Sequence, residues 1–189
     1  MLTESRIKKI LGLVKKEYDY IDNKPIHIID RYDWGRCWCV DTTYSDYILR
    51  VDKNFEDYNF MSFYYKYLAK EFNFDLTWAE VDYQNTMNAL VVLHEIGHIQ
   101  QTMNIENIEL IESWAKEMDL AYNNYKETKK SISKEEQLVA YRKISYEYLA
   151  DKFAVEIFNK YAVKILAILN GVSQKEIKNR LEEVKKSVA

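Results

Sequence analysis

The sequence predicts an α+β fold that is predominantly helical, with one small β-sheet near the N-terminus. Among the 189 residues there are only one Pro and four Gly, which is too few for a loop-rich all-β protein. Apolar residues recur every three or four positions over most of the chain, as they do in amphipathic helices. Hydrophobic residues make up 48% of the sequence, which suits a single domain of residues 1–189 with its own core.

The first part of this domain, residues 1–56, is predicted to hold one helix and the whole sheet. Apolar side chains spaced as on one helix face predict a helix over 4–20, and Pro25 is expected to stop it. Three short runs of β-forming residues follow, separated by turn-forming residues. These predicted strands are 26–30, 37–41 and 47–51.

Two helices are predicted in the middle of the chain. The aromatic-rich stretch at 57–71 has helical spacing. Thr77 and Glu80 resemble a capping box, in which the hydroxyl binds a free backbone amide and the carboxylate binds back. This box is expected to open a long helix of about 77–103.

The rest of the chain is predicted to be helical except for one polar loop. Apolar residues alternate at spacings of three and four from 108 to 125, which predicts an amphipathic helix. The most polar segment, 126–136, is expected to be an exposed loop. Ser133 and Glu136 resemble a capping box that opens the next helix. This helix is predicted to run to about Leu169, where Asn170 and Gly171 end it. A break near Asn159, left open by the sequence, would divide this part into a helix of about 134–158 and C-terminal helices over 159–189.

The segment ALVVLHEIGHIQQTM at 89–103 places His94, Glu95 and His98 in an apolar run. Polar groups are costly to bury there unless something pairs with them. Residues four apart on a helix project about 40° from each other, so both imidazoles face the same side. Two neutral imidazoles at this spacing can share one Zn²⁺, while Glu95 can reach a metal-bound water without being a ligand. Gly97 removes bulk from the helix surface and so lets another element approach.

A catalytic zinc site needs a third protein ligand, with one position left for water. His27 is the remaining histidine, but it lies in a predicted strand and is expected to be an ordinary strand residue. Glu147 and Asp151 are four apart and share a helix face, and the small Ala150 between them allows close packing. Glu147 is the predicted third ligand, and Asp151 is expected to accept the N–H of a ligand histidine. The competing interpretation of this pair is a solvated acidic face, or an ion pair with Lys143 or Lys152.

The two motifs together resemble a known group of enzymes. HEIGH followed by ExxAD-x-FA is similar to the gluzincin metallopeptidases, and most similar to the small ImmA/IrrE-like zinc peptidases of bacterial phages and plasmids. The run at 141–154 also resembles the YRxLPxExxADxFA segment of such proteins. This resemblance implies a zincin-like fold, in which a small N-terminal β-sheet packs on the active-site helix and the C-terminal part is helical.

The resemblance also implies an activity and a set of roles. It implies one Zn²⁺ per chain, held by His94, His98 and Glu147. Glu95 is then the catalytic base, and Asp151 is the outer partner of a ligand histidine. The implied reaction is the hydrolysis of peptide bonds in a protein or peptide substrate by a metal-activated water.

Two further parts of such a site are predicted more loosely. Enzymes of this kind commonly hold the substrate as an added strand on a sheet edge. The segment 44–52 is the predicted edge, with Arg50 and Asp52 as charges that protect it. A second oxyanion donor, often a His or a Tyr in enzymes of this kind, is not identifiable from the sequence, because the chain has 16 tyrosines. Three tyrosines lie near the predicted ligand helix, at Tyr141, Tyr146 and Tyr148.

Two other classes of function stay open on the sequence alone. One is a non-catalytic, zinc-stabilised regulatory or binding protein of phage or plasmid origin, and the other is a helical interaction protein with a chance motif. The intact Glu95 favours the enzyme, because a purely structural site does not need that carboxylate. A net charge of −3, with both signs mixed along the chain, predicts no nucleic-acid partner. Short apolar runs and no signal-peptide pattern predict a soluble, cytoplasmic protein without membrane contact, and the oligomeric state stays open.

Overall fold

The structure is a computed structural model. The described residues are 2–18, 21, 25–30, 36–39, 47–51, 58–103 and 108–187. They form α-helices and one small three-stranded sheet, so the predicted α+β, predominantly helical fold class is confirmed. Asp52 and the predicted turns between the strands lie outside the described residues.

The helices account for most of the described residues. They are α1 (Glu4–Lys15), α2 (Tyr58–Phe72), α3 (Thr77–Val81), α4 (Tyr83–Met103), α5 (Ile108–Thr128), α6 (Lys134–Arg142), α7 (Ser145–Asn170) and α8 (Gln174–Ser187). The strands are β1 (Ile26–Asp30), β2 (Arg36–Cys39) and β3 (Tyr47–Val51). Within the described ranges we find no helix with the length and apolar character that a membrane crossing requires.

The sheet has the strand order β1-β3-β2, which corrects one prediction. β3 runs parallel to β1, with Leu49 opposite Ile28, and antiparallel to β2. The predicted edge strand at 44–52 is therefore wrong, because β3 is the central strand and pairs on both sides. The hydroxyls of Tyr47 and Thr102 are hydrogen-bonded at 3.0 Å, which fastens the sheet to α4.

The helix predicted over 77–103 is two helices that meet at Asp82. Asp82 has an extended backbone (φ −162°, ψ 93°), and its Oδ1 accepts a hydrogen bond from the Asn85 amide at 3.0 Å. This residue therefore caps the N-terminus of α4 and separates it from α3. The predicted capping box at Thr77 is wrong, because Leu76 is the N-cap of α3 and makes no side-chain cap bond.

The helix predicted from about 134 is also divided, but at a different place from Asn159. α6 ends at Arg142, and the extended backbone of Ile144 (φ −59°, ψ 131°) precedes α7. α7 then continues without interruption to Asn170, which confirms the predicted end near Leu169, and the helix has no break near Asn159. Gly171 ends α7 in the left-handed conformation (φ 71°), as its sequence position predicts.

The polar segment at 126–136 is exposed for the most part but is largely helical, so the predicted loop is wrong. α5 extends to Thr128, and a single turn of 3₁₀ helix follows. The predicted capping box of α6 is confirmed. The Ser133 hydroxyl accepts the Glu136 amide at 3.3 Å, and the Glu136 carboxylate accepts the Ser133 amide at 2.8 Å.

The core is built mainly from α1, α2, α4 and α7, and α4 and α7 come into close contact at Gly97. A Cβ atom at this position would lie 3.0 Å from Ala150 Cα, 3.2 Å from Ala150 O and 3.2 Å from Phe153 Cδ1. A side chain at Gly97 would therefore press on the Ala150 backbone, which would have to yield by a few tenths of an ångström. The expectation that Gly97 and Ala150 let two helices approach is therefore confirmed. This close approach brings the His94/His98 pair of α4 opposite the Glu147/Asp151 pair of α7.

Replacing Gly97 by Ala is expected to destabilise the protein by about 1–3 kcal/mol, because two helix backbones must move apart. The matched control is Gly12→Ala in α1, where an added Cβ meets nothing within 4 Å. That change should stabilise the protein by up to about 1 kcal/mol, since Ala favours helix more than Gly does. Urea titration of both variants measures the free energy of unfolding. Equal effects of the two changes would contradict the close contact at Gly97.

Candidate metal centre

Two buried helices supply the site residues that the sequence predicts. His94, Glu95 and His98 lie on α4, and Glu147 and Asp151 lie on α7. Asp151 is 0% exposed, and His94 and Glu147 are each 4% exposed. A solvated acidic face on α7 is therefore excluded. Carboxylates buried this deeply need partners close by, because an unpaired buried charge is strongly destabilising.

The predicted metal ligands converge on one point. His94 Nε2 lies 3.0 Å from His98 Nε2 and 3.1 Å from Glu147 Oε2, and His98 Nε2 lies 3.7 Å from Glu147 Oε1. Ligands bound at 2.0–2.1 Å around a tetrahedral zinc ion are about 3.3 Å apart. The observed distances scatter around that value. In the described part of the chain, these three residues form the group that could hold a metal ion.

Asp151 lies on the outer side of His94. Its Oδ1 is 2.8 Å from His94 Nδ1, so it accepts the Nδ1–H of that ring. This hydrogen bond fixes the ring and leaves Nε2, the nitrogen that faces His98 and Glu147, available to a metal ion. The contact is the one that the sequence analysis assigns to Asp151.

The two remaining predicted residues stand apart from the ligand group. Glu95 is buried on α4, next to His94 in sequence, and does not belong to the group that could hold a metal. This placement is compatible with a role as a base rather than as a ligand. His27 is exposed on β1 and is likewise outside the group, so it does not compete with Glu147.

Arg142 is a central residue of the site, to which no role was assigned from the sequence although it belongs to the YR pair that opens the segment 141–154. It is 7% exposed, its Nη1 lies 2.6 Å from Glu147 Oε2, and its Nη2 lies 3.1 Å from Asp151 Oδ1. On one continuous helix, residues five apart project about 140° from each other, so Arg142 and Glu147 would face different sides. The break at 143–144 turns α6 away from α7 and brings the guanidinium to the site. The signal in the sequence is a single arginine five positions before the predicted ligand.

Tyrosines complete the polar contacts. Tyr141 Oη donates to Glu147 Oε1 at 2.6 Å, and the fully buried Tyr64 of α2 donates to Asp151 Oδ1. Tyr141 is thus bound to a carboxylate, and Tyr64 has no signal in the sequence among the 16 tyrosines. The Tyr146 ring lies 5.7 Å from that of His98, whereas the Tyr148 ring packs on Phe72 at 4.9 Å.

The surroundings of the two histidines shift their pKa values in opposite directions. Burial and the charge of His94 lower the pKa of His98 to about 3. Burial and Arg142 also lower the pKa of His94, but Asp151 and Glu147 outweigh them and raise it to about 9. Burial raises the pKa of Glu147, yet the hydrogen bond to His94 and the charges of His94 and Arg142 bring it well below its usual range. A metal ion at His94 must therefore displace a proton, as metal binding at imidazole generally does.

No protein-family model matches the chain, and no curated protein and no solved structure matches it. The interpretation of the site therefore depends on its own atoms. Those atoms are two imidazole nitrogens and a carboxylate at the spacing of metal ligands, with a second carboxylate behind one imidazole. In this region of the protein the chain presents a buried group that could hold a metal ion.

Proposed function

We propose that the protein is a zinc-dependent endopeptidase of the zincin-like, gluzincin type that hydrolyses a protein or peptide substrate. The observation that carries the proposal is the convergence of His94 Nε2, His98 Nε2 and a Glu147 oxygen, with Asp151 on His94 Nδ1. The HEIGH and ExxAD motifs support it, because they resemble those of such peptidases.

The donor set favours zinc over the hard cations. Two imidazole nitrogens and one carboxylate oxygen match catalytic zinc sites, whereas Ca²⁺ and Mg²⁺ prefer oxygen ligands only. Three protein ligands leave the fourth tetrahedral position for a water or a substrate. A bound zinc ion would polarise the peptide carbonyl and lower the pKa of a water molecule towards neutrality.

The chain's own residues then carry out the proton transfers. Glu95 accepts the proton that the attacking water loses, and it delivers this proton to the nitrogen of the leaving amine. Asp151 holds the proton on His94 Nδ1, so that the proton a metal ion would displace is the one on Nε2, the nitrogen that faces the metal. Tyr141 Oη and Arg142 each occupy one side of the Glu147 carboxylate and fix its plane.

The proposal is tested in two steps. Elemental analysis of protein purified without chelator should find one zinc per chain. The zinc-loaded protein should then cleave a denatured protein or a quenched-peptide library, and a chelator should stop the cleavage. A metal content near zero that does not rise when zinc is added would refute the metal site. Full zinc occupancy with no cleavage of any substrate would favour the zinc-stabilised regulatory protein instead.

Replacing Asp151 by Asn is expected to weaken zinc binding by roughly 10-fold or more. The amide keeps the size of the side chain but loses the charge that fixes the His94 tautomer. Asp119→Asn, at an exposed position of α5, is the matched control and should leave the affinity unchanged. Competition with a chromogenic chelator measures both. Equal zinc affinities for wild type and the Asp151 variant would remove Asp151 from the metal centre.

A further inference from the structure

Arg142 brings a positive charge into a site that is proposed to bind a cation. Its guanidinium is buried and lies over the Tyr64 ring, with Cζ 4.4 Å from the ring centroid. Nη1 lies 2.6 Å from Glu147 Oε2 and 3.3 Å from His94 Nε2. These are two of the atoms to which the proposed function assigns the metal.

The buried carboxylates explain why a cation is needed there at all. Glu147 and Asp151 are almost completely buried, and removing the partner of a buried charge is far more destabilising than removing an exposed one. Arg142 contacts both carboxylates through different nitrogens, with Nη2 3.1 Å from Asp151 Oδ1. A planar guanidinium can bridge two carboxylates in this way, whereas a single ammonium group does so poorly.

We propose that Arg142 is the internal counter-ion of the metal centre, which holds Glu147 and Asp151 in place before a metal ion arrives and competes with that ion for the charge of Glu147. The inference rests on the proposed metal site but not on peptide hydrolysis. Arg142 is in this sense a positioning residue, because it acts through Glu147 and Asp151. Its presence lets the metal-free protein keep a built site instead of depending on metal to fold.

Competition between Arg142 and the metal ion predicts an effect on zinc binding that Arg142 would not have if it only filled space in the core. Two cations beside the same carboxylate repel each other, so the guanidinium makes metal binding weaker than it would otherwise be. Without Arg142, the metal no longer shares the two carboxylates with a guanidinium. A metal ion that binds only the folded state raises the melting temperature more when its affinity is higher. Loss of Arg142 should therefore lower metal-free stability and increase the stabilisation that zinc provides.

The experiment compares Arg142→Met and Arg142→Lys with wild type by thermal unfolding, in EDTA and in excess zinc. In EDTA the Tm of Arg142→Met should fall by roughly 10 °C, the effect expected for an uncompensated buried carboxylate in a chain of this size. Zinc should raise the Tm of this variant by more than it raises that of wild type. Arg142→Lys keeps the charge and should lie between them. The matched control is Arg180→Met, which removes an arginine paired with Glu176 at 2.5 Å on the surface of α8 and should change neither value by more than about 2 °C.

Two outcomes would overturn the inference. A zinc-induced rise in Tm that is equal to or smaller than that of wild type in both Arg142 variants would show that the guanidinium does not compete with the metal. If Arg142→Met folds in neither condition, the same comparison is decided with Arg142→Lys. The double variant Arg142→Met/Glu147→Gln should have a higher Tm in EDTA than Arg142→Met, because the excess negative charge is gone. A double variant that is no more stable would refute the counter-ion role without reference to zinc, whereas failure of wild type to bind zinc would instead refute the proposed function.

Discussion

Replacing Glu95 by Gln is expected to lower kcat for peptide hydrolysis by roughly 10²–10⁴-fold, the contribution that a positioned acid–base group makes to catalysis. The amide has nearly the shape of the carboxylate but cannot accept the proton of the attacking water. Because Glu95 lies outside the group of candidate ligands, the variant should still bind one zinc per chain. Stopped assays on the zinc-loaded variant, together with elemental analysis of the same sample, measure both quantities.

The matched control for this change is Glu80→Gln, at an exposed position of α3, which should leave kcat and zinc content unchanged. Wild-type activity in a zinc-loaded Glu95→Gln protein would remove Glu95 from the mechanism. Loss of zinc along with activity would instead show that Glu95 is needed for zinc binding. Another residue would then have to act as the base.

Replacing Glu147 by Ala is expected to weaken zinc binding by more than about 100-fold. Replacing a residue that only hydrogen-bonds to a metal ligand already weakens metal binding by roughly 10–100-fold. The change leaves two imidazoles and no third protein ligand at the site. It also removes the carboxylate that accepts hydrogen bonds from Tyr141 and Arg142, so the metal-free protein should lose stability as well. Chelator competition measures the affinity, and thermal unfolding in EDTA measures the stability.

Two further variants separate the loss of a ligand from the loss of the fold. Glu147→Gln keeps an oxygen for Arg142 and should remain closer to wild type in Tm while still losing most of its zinc affinity. Glu156→Ala, at an exposed position about two and a half turns further along α7, should change neither property. Zinc affinity in Glu147→Ala and Glu147→Gln that equals that of wild type would show that Glu147 is not a ligand.

The sequence by itself determined the local parts of the site. The spacing of four in each pair predicts that His94 and His98 share one helix face and that Glu147 and Asp151 share another, because this depends only on helix periodicity. The small residue in each pair marks where the two faces meet. The Gly97–Ala150 contact could therefore be predicted, because the sequence shows directly where each helix has a small residue.

Tertiary structure decided where the helices end. Asp82 interrupts a pattern that is otherwise helical because its carboxylate caps α4 and also accepts a hydrogen bond from Asn170 on α7 at 2.7 Å. Ile144 interrupts the helical pattern that begins at about 134. Its backbone is extended and its side chain is buried in the core. Periodicity alone does not reveal such breaks, since the apolar pattern continues across them.

Tertiary structure also decided which polar groups complete the centre. Arg142 reaches the carboxylates because the break after α6 changes the direction of the chain, and Tyr64 reaches Asp151 because α2 packs against α7. The strand order placed β3 in the middle of the sheet, since pairing depends on partners far away in sequence. The contact between Tyr64 and Asp151 and the pairing of the strands join segments that are far apart along the chain, so no local pattern predicts them. The sequence thus specified which side chains share a helix face, and packing between distant segments specified what those side chains meet.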